Sequence, residues 1–273
     1  MTPFIHSSVR IHPSAKVSPG AVVGEESIIG AGCILEPYAV IGPHTTLGTD
    51  NHVFSFAAIG GPAQDRRTAA NAPYRLQIGS KNIFREGVTV SRGTAHGNGV
   101  TRIGNNGLFM AQSHVGHDCI LGDRVTLANQ VSLAGHVQVG SGVTCGGHSA
   151  IHQFVHIGDL AFIAANAMVS RDIPPFCMAS GDRATLTGIN TTGLRRNNLD
   201  DQSIRQIVRA YRTIFRMRHG LRTQRVRSLL DSPIPWVRAF ATFISRSERG
   251  VARHRAPNPT GTTPLDSDET PSP

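Results

Sequence analysis

Aromatic side chains are scarce, at 5% of 273 residues, so a core must be filled by Val, Ile and Leu rather than by rings. Cysteine is scarce as well. Cys33, Cys119, Cys145 and Cys177 show no CxxC spacing, which gives no basis for a zinc ribbon or a dithiol redox motif. Two of them occupy or adjoin positions of an apolar repeat, and all four are read as small buried hydrophobes in a reducing compartment. No apolar run approaches 18 residues, so no integral membrane segment is expected, and the opening MTPFIHSSVR lacks the apolar stretch of a secretory signal. A soluble, cytoplasmic protein is the expectation. Acidic residues are thin in one region. Between Arg195 and Arg255 fifteen arginines meet four acids (Asp200, Asp201, Asp231 and Glu248), a charge of +11 in a chain whose net charge is +9. A basic C-terminal part on a near-neutral body implies an acidic partner: nucleic acid, a phosphorylated ligand or an acidic protein.

What the chain does have is a repeat of six. From Ile103 to Val169 every sixth residue is apolar, and Ile11 to Ile59 does the same nine times in a row. A helix repeats every 3.6 residues and an ordinary strand every 2, so neither gives a strict six. That register marks a coiled parallel β-structure, in which each repeat is one short strand and one turn. Three repeats make one triangular turn, and at about 4.8 Å per turn the nine or so turns form a prism about 40–45 Å long. Gly often follows the apolar residue, as at Gly24, Gly30, Gly42 and Gly48, where a corner demanding unusual backbone angles is expected. The register slips by one residue twice, between Ile59 and Ile78 and between Val90 and Ile103. Both slips fall in polar, Gly-rich sequence and are read as loops thrown out of the coil.

After Val169 the paired prolines of RDIPPF are expected to end the coil. From Asp200 the period becomes helical through Ile204, Ile207, Val208, Tyr211, Ile214 and Phe215, with a cap at Asp200 and a stop at Gly220. Further helices are expected over Arg222–Leu230 and Trp236–Ser247, separated by SPIP. The division is a β-helix over 1–175, a small α-helical domain over 176–255, and a disordered Pro-, Thr- and acid-rich tail over 256–273.

Six histidines lie within the regular stretch, His114, His117, His136, His148, His152 and His156. The segments SHVGHDC (Ser113–Cys119), LAGHVQVG (Leu133–Gly140), AIHQF (Ala150–Phe154), DIPPF (Asp172–Phe176) and GINTTGLRR (Gly188–Arg196) resemble the acyl-carrier-protein–UDP-N-acetylglucosamine O-acyltransferases, over roughly residues 4 to 250 and in the same order. The resemblance implies an all-β left-handed parallel β-helix followed by a small α-helical C-terminal domain, assembled as a homotrimer with active sites between subunits. The reaction it implies moves an (R)-3-hydroxyacyl chain from acyl carrier protein to the 3-position of UDP-N-acetylglucosamine, the first step of lipid A biosynthesis. No cofactor, no metal and no nucleic acid is implied.

On this resemblance His117 is the general base, Asp118 its support, and Gly135 the backbone N–H donor to the oxyanion. The chemistry suits an imidazole: a sugar hydroxyl is a poor nucleophile at neutral pH, and a thioester carbonyl under attack needs a fixed donor. Asp118 is adjacent to His117, so a direct bond requires a corner rather than a strand. Asp65, Arg67, His114, His136, His152, Gln153, Asn190 and Arg196 match substrate-binding positions, and Ala165 matches the point where the acyl tail ends. Arg66-Arg67 is equally consistent with a solvated surface run. Ser91, Thr192 and Asn197 depart from the best-known members, which leaves open whether the acceptor sugar carries a 3-hydroxyl or a 3-amino group. Rival readings are a related UDP-amino-sugar acyltransferase, a γ-carbonic-anhydrase-like metal enzyme using His114 and His117, and a non-catalytic scaffold. DNA binding has charge in its favour but no recognition motif.

Overall fold

The computed structural model describes residues 2–68, 72–216 and 222–254. Among these, short strands stack into three sheets of nine, eight and ten strands, parallel throughout except for the last strand of the third, and the chain visits each sheet once per turn. The first face runs from Phe4–Ile5 to Met168–Val169, the second from Arg10–Ile11 to His156–Ile157, the third from Lys16–Val17 to Cys177–Ser180. The coil is a left-handed parallel β-helix. Each sixth residue points inward. Val115, Leu133, Ile151 and Val169 lie over one another on the first face, each eighteen residues after the last, and all are buried. Burying each such side chain contributes about 1.5–3 kcal/mol, which lets a chain this poor in rings hold a long core.

The corners have a different cause from the one expected. From Asn106 to Asn166 every sixth residue has φ between 55° and 68°, and only Gly142 among them is glycine. In the N-terminal turns the same role falls to Glu26, Tyr38, His44 and Asp50. The left-handed residue thus sits three places after the inward one and is usually not glycine. Gly24, Gly30, Gly42 and Gly48 are needed for proximity instead: a Cβ on Gly24 would stand 2.7 Å from the Pro43 nitrogen, and one on Gly42 would overlap the Gly60 carbonyl of the next turn.

The paired prolines lie within the last turn rather than beyond it. Cys177–Ser180 still pairs in parallel with Phe162–Ile163, and Thr185–Ile189 then folds back antiparallel on it. Helices follow: α1 (Thr191–Arg196), α2 (Asp201–Phe215), α3 (Arg222–Leu230) and α4 (Pro235–Arg246). Asp200 caps α2 by accepting from the Ser203 N–H, and Pro235 opens α4, where its missing N–H costs nothing. The stop expected at Gly220 and the tail beyond residue 255 lie outside the described residues. No helix among the described residues is long and apolar enough to cross a membrane.

Two buried asparagines tie successive corners together. The Asn82 amide group donates to Asn51 Oδ1 (3.0 Å) and to the Gly104 carbonyl (2.9 Å), and its own oxygen accepts from the Gly107 N–H (2.7 Å). Asn82→Ala leaves the Gly107 N–H and the Gly104 carbonyl without these partners inside the coil, at about 1–3 kcal/mol each. Calorimetry should show Tm lower by about 5 °C or more. An unchanged Tm would mean that water replaces both bonds.

Candidate active site

Residues 116–119 turn the chain from the first face to the second and carry His117 and Asp118. Asp118 has φ 58°, and this bend brings His117 Nδ1 to 2.9 Å from Asp118 Oδ2. The direct bond that a straight strand would forbid is made at the corner. The carboxylate is sealed, with 1% of its side chain exposed, while the imidazole keeps 16%. An ionised carboxylate only accepts, so the pair places the proton on Nδ1 and leaves Nε2 with a free lone pair. Thr94 holds Asp118 from the other side, donating its N–H to Oδ1 (3.2 Å) and its hydroxyl to Oδ2 (2.7 Å).

The next corner on this edge, residues 134–137, repeats the geometry eighteen residues later and sets Gly135 and His136 beside the pair. A Cβ on Gly135 would stand 2.6 Å from His117 Nε2, so only glycine admits the ring here. Among the described residues the Gly135 N–H has no acceptor. The His136 ring meets His117 edge-on at 5.0 Å between centroids and stacks on Phe154 at 4.5 Å. Burial lowers the pKa of His136 from its ordinary value, and the nearby Asp118 opposes this. Burial, aided by the charge of His117, also lowers that of His114, whose Nδ1 lies 2.7 Å from Thr89 Oγ1. Both rings therefore favour the neutral form. One corner further along, His152 and Gln153 are exposed, and His152 Nδ1 lies 2.8 Å from Arg249 Nη2.

Both inserted loops leave the coil at this same edge, over residues 62–74 and 92–99. In the first, Asp65 takes a forked pair of bonds from Arg67, with Nη2 at 2.7 Å and Nε at 3.1 Å. Those bonds hold the Asp65 carboxyl well below the usual carboxylate range, and the charge of His117 adds a smaller pull in the same direction. Asp65, Arg67, His114, His117, Asp118, Gly135, His136, His152 and Gln153 are thus carried by one edge of the prism and its flanking strand. Asn190, Arg196 and Ala165 are not. Asn190 caps α1, accepting from the Gly193 N–H and donating to the Leu160 carbonyl (both 3.0 Å), which puts it at the edge between the second and third faces. Arg196 is exposed at the end of that helix, and Ala165 lies on the corner between the third face and the first.

Known proteins resemble the chain along nearly its whole described length. Residues 2–37 match the hexapeptide repeats of bacterial transferases, and residues 172–252 match the family described as Udp N-acetylglucosamine O-acyltransferase, domain 2. An acyl-[acyl-carrier-protein]–UDP-N-acetylglucosamine O-acyltransferase of Herminiimonas arsenicoxydans is 41% identical over 211 residues, covering 76% of this chain and 80% of the relative. The enzyme of the same name from Alkalilimnicola ehrlichii is 44% identical over 202 residues, 72% and 77% of the two chains. The chain belongs to this O-acyltransferase family.

Structures agree. A UDP-N-acetylglucosamine O-acyltransferase from Moraxella catarrhalis superposes with a TM-score of 0.87 at 36% identity, covering 92% of this chain and 98% of the other. The Francisella novicida UDP-N-acetylglucosamine acyltransferase gives 0.88 at 31%, covering 95% and 94%. Membership favours neither rival enzyme, although His117, Asp118 and His136 bring candidate ligand atoms within 4.8 Å of one another. Of the three departures from the best-known members of this O-acyltransferase family, Ser91 is buried on its strand and Thr192 is exposed on α1. Asn197 caps the end of α1, its side chain donating to the Gly193 carbonyl at 2.9 Å. Sequence reading missed Thr94, Phe154 and Arg249. Phe154 was within reach, since it follows His136 by eighteen residues; the other two contacts have no periodic signal.

Proposed function

We propose that this O-acyltransferase moves an (R)-3-hydroxyacyl chain from acyl carrier protein to the 3-position of the glucosamine of UDP-N-acetylglucosamine, in the first step of lipid A biosynthesis. The observation that carries the reading is the His117–Asp118 pair facing the Gly135 backbone on an accessible edge. His117 Nε2 takes the proton of the sugar 3-hydroxyl as its oxygen attacks the thioester carbonyl. The Gly135 N–H donates to the oxyanion that forms. As the intermediate collapses, the C–S bond breaks and the imidazolium returns the proton to the departing thiolate. Asp118, accepting from Nδ1, keeps the imidazole in the tautomer this cycle needs. A 3-amino acceptor would use the same steps.

Binding is shared between edges. Asp65, His136, His152 and Gln153 meet the sugar, Arg67 lies near the diphosphate, and His114 lines the site. Asn190 and Arg196 of a neighbouring subunit supply the remaining contacts to the nucleotide. This division supports a homotrimer with sites in the grooves between chains. Exposed apolar side chains on and beside the first face, among them Val40, Phe154 and Met168, are surface that an assembly would cover. Arg205, Arg209, Arg212 and Arg216 form an exposed cationic stripe on α2, suited to an acidic carrier protein. A cytoplasmic location goes with carrier-protein substrates.

His117→Ala should keep its fold and its subunit mass while kcat for acyl transfer drops by ~10²–10⁴, the usual cost of losing a general base. More than half of kcat remaining would remove His117 from that role. Ala165 is assigned to the end of the acyl groove. It lies over Gly147 of the preceding turn, where no side chain competes for space. Its methyl group is exposed on the single chain, and in this reading it narrows the end of a groove between subunits, where one methylene too many costs about 1–3 kcal/mol. In Ala165→Gly the preferred acyl length, read as relative kcat/KM across a series of hydroxyacyl carrier proteins, should move toward longer chains. A preference that stays put would place the end of the groove elsewhere.

A further inference from the structure

The second inserted loop accounts for the one-residue excess between Val90 and Ile103, and none of the chemistry above uses it. Its first three residues, Arg92, Gly93 and Thr94, are buried, while residues 95–98 are exposed. Thr94 is 0% and Arg92 5% exposed. Arg92 donates its backbone N–H to the Gly61 carbonyl (2.9 Å) and its guanidinium to the Tyr74 carbonyl (3.4 Å), which ties this loop to the first one. The loop then closes on itself, with the Gly97 and Gly99 N–H groups both donating to the Thr94 carbonyl, at 3.3 and 3.1 Å. The result aims Thr94 at Asp118. Thr94 grips the carboxylate with two donors, one to each oxygen. Gly97 lies so close that any Cβ there would overlap the same carboxylate. From the coil side, Asp118 fixes its own backbone by donating to Thr101 Oγ1 (2.8 Å). A four-residue corner such as 134–137 has no chain to spare for such a grip.

We propose that Thr94 is a positioning residue for acyl transfer, its amide and hydroxyl holding Asp118 so that the carboxylate keeps the His117 Nδ1 proton in place and Nε2 aimed at the acceptor hydroxyl. The proposal rests on His117 being the base. Asp118 Oδ2 accepts from both His117 Nδ1 and the Thr94 hydroxyl. The hydroxyl therefore withdraws charge from the oxygen that faces the imidazole and also stops the carboxylate from turning. Without it, Oδ2 stabilises the imidazolium more strongly, so the acid limb of the rate profile moves to higher pH. The imidazole also loses its fixed direction. The other charged or titratable groups around His117 are Asp65 from the first loop, itself held by Arg67, His114 on its own strand and His136 on the next corner. Replacing Thr94 alters none of them.

The test is a pH profile of kcat and KM for Thr94→Val, Thr94→Ser, Asp118→Asn and the double variant Thr94→Val/Asp118→Asn, with circular dichroism and subunit mass as checks on folding. Thr94→Val should lower kcat about tenfold near neutral pH with both KM values within about twofold, as for a lost hydrogen bond to a charged group. Its acid limb should shift upward. Thr94→Ser, which keeps the hydroxyl, should stay within about twofold of the parent, and the double variant should be no slower than Asp118→Asn alone, because the two residues act in series. If the valine variant does not fold, Thr94→Ala takes the same measurements. An unmoved acid limb, or an equal loss of kcat in the Asp118→Asn background, overturns the assignment and leaves Thr94 as packing. Retained turnover in His117→Ala would instead remove the base itself, and so separates that failure from this one.

Discussion

The inward stacking of one apolar side chain every six residues is the constraint from which the rest follows. Once Val115 sits under Leu133, and Leu133 under Ile151, the corners between them must also fall into columns. His117, Gly135 and Gln153 form one such column, and Asp118, His136 and Phe154 the next. A close-packed core resists deformation, so polar residues placed at these corners are held as firmly as the strands beside them. The left-handed backbone at most corners has a local cost, on the order of 1–2 kcal/mol for an ordinary residue, that the stacked core offsets. At Asp118 that same backbone turns a carboxylate toward the histidine before it.

The candidate base and its polar neighbours are concentrated on one edge, where both extra lengths of chain emerge. The first insertion brings Asp65 within electrostatic range of His117 and Arg67 within that of His136, and the second brings Thr94 to Asp118. The remaining two edges stay regular or are covered by the C-terminal helices. Asn190 belongs to one of these, held by the coil at Leu160 as well as by its own helix. A single chain therefore carries the candidate base on one edge and the expected nucleotide contacts on another.

Much of this was legible in the residues. The six-residue period names the coil without ambiguity, since no other element shares it, and the 3.6-residue period finds α2 with its Asp200 cap. The helix Thr191–Arg196 was missed because TTG is a poor helical start; the Asn190 cap holds it. The glycines were seen and misread. Backbone angle and backbone proximity both select glycine, and only coordinates tell that Gly42 faces a carbonyl of the next turn while Tyr38 and His44 take the left-handed corners. For the site, His117 and Asp118 were found through a shared motif, and their bond followed from the bend. Thr94 was invisible: a loop has no period, and nothing in SRGTAHGNG says which side chain will turn inward.

If two edges must meet, a complete site needs two copies of the chain. His117→Ala and Arg196→Ala variants, each weakly active alone, can be unfolded, mixed in equal amounts and refolded together. Random reassembly leaves roughly a quarter of the grooves with an intact His117 from one chain and an intact Arg196 from its neighbour. Acyl transfer to UDP-N-acetylglucosamine should recover to about that fraction of the parent rate. A mixture no more active than its two components would contradict a site shared between subunits.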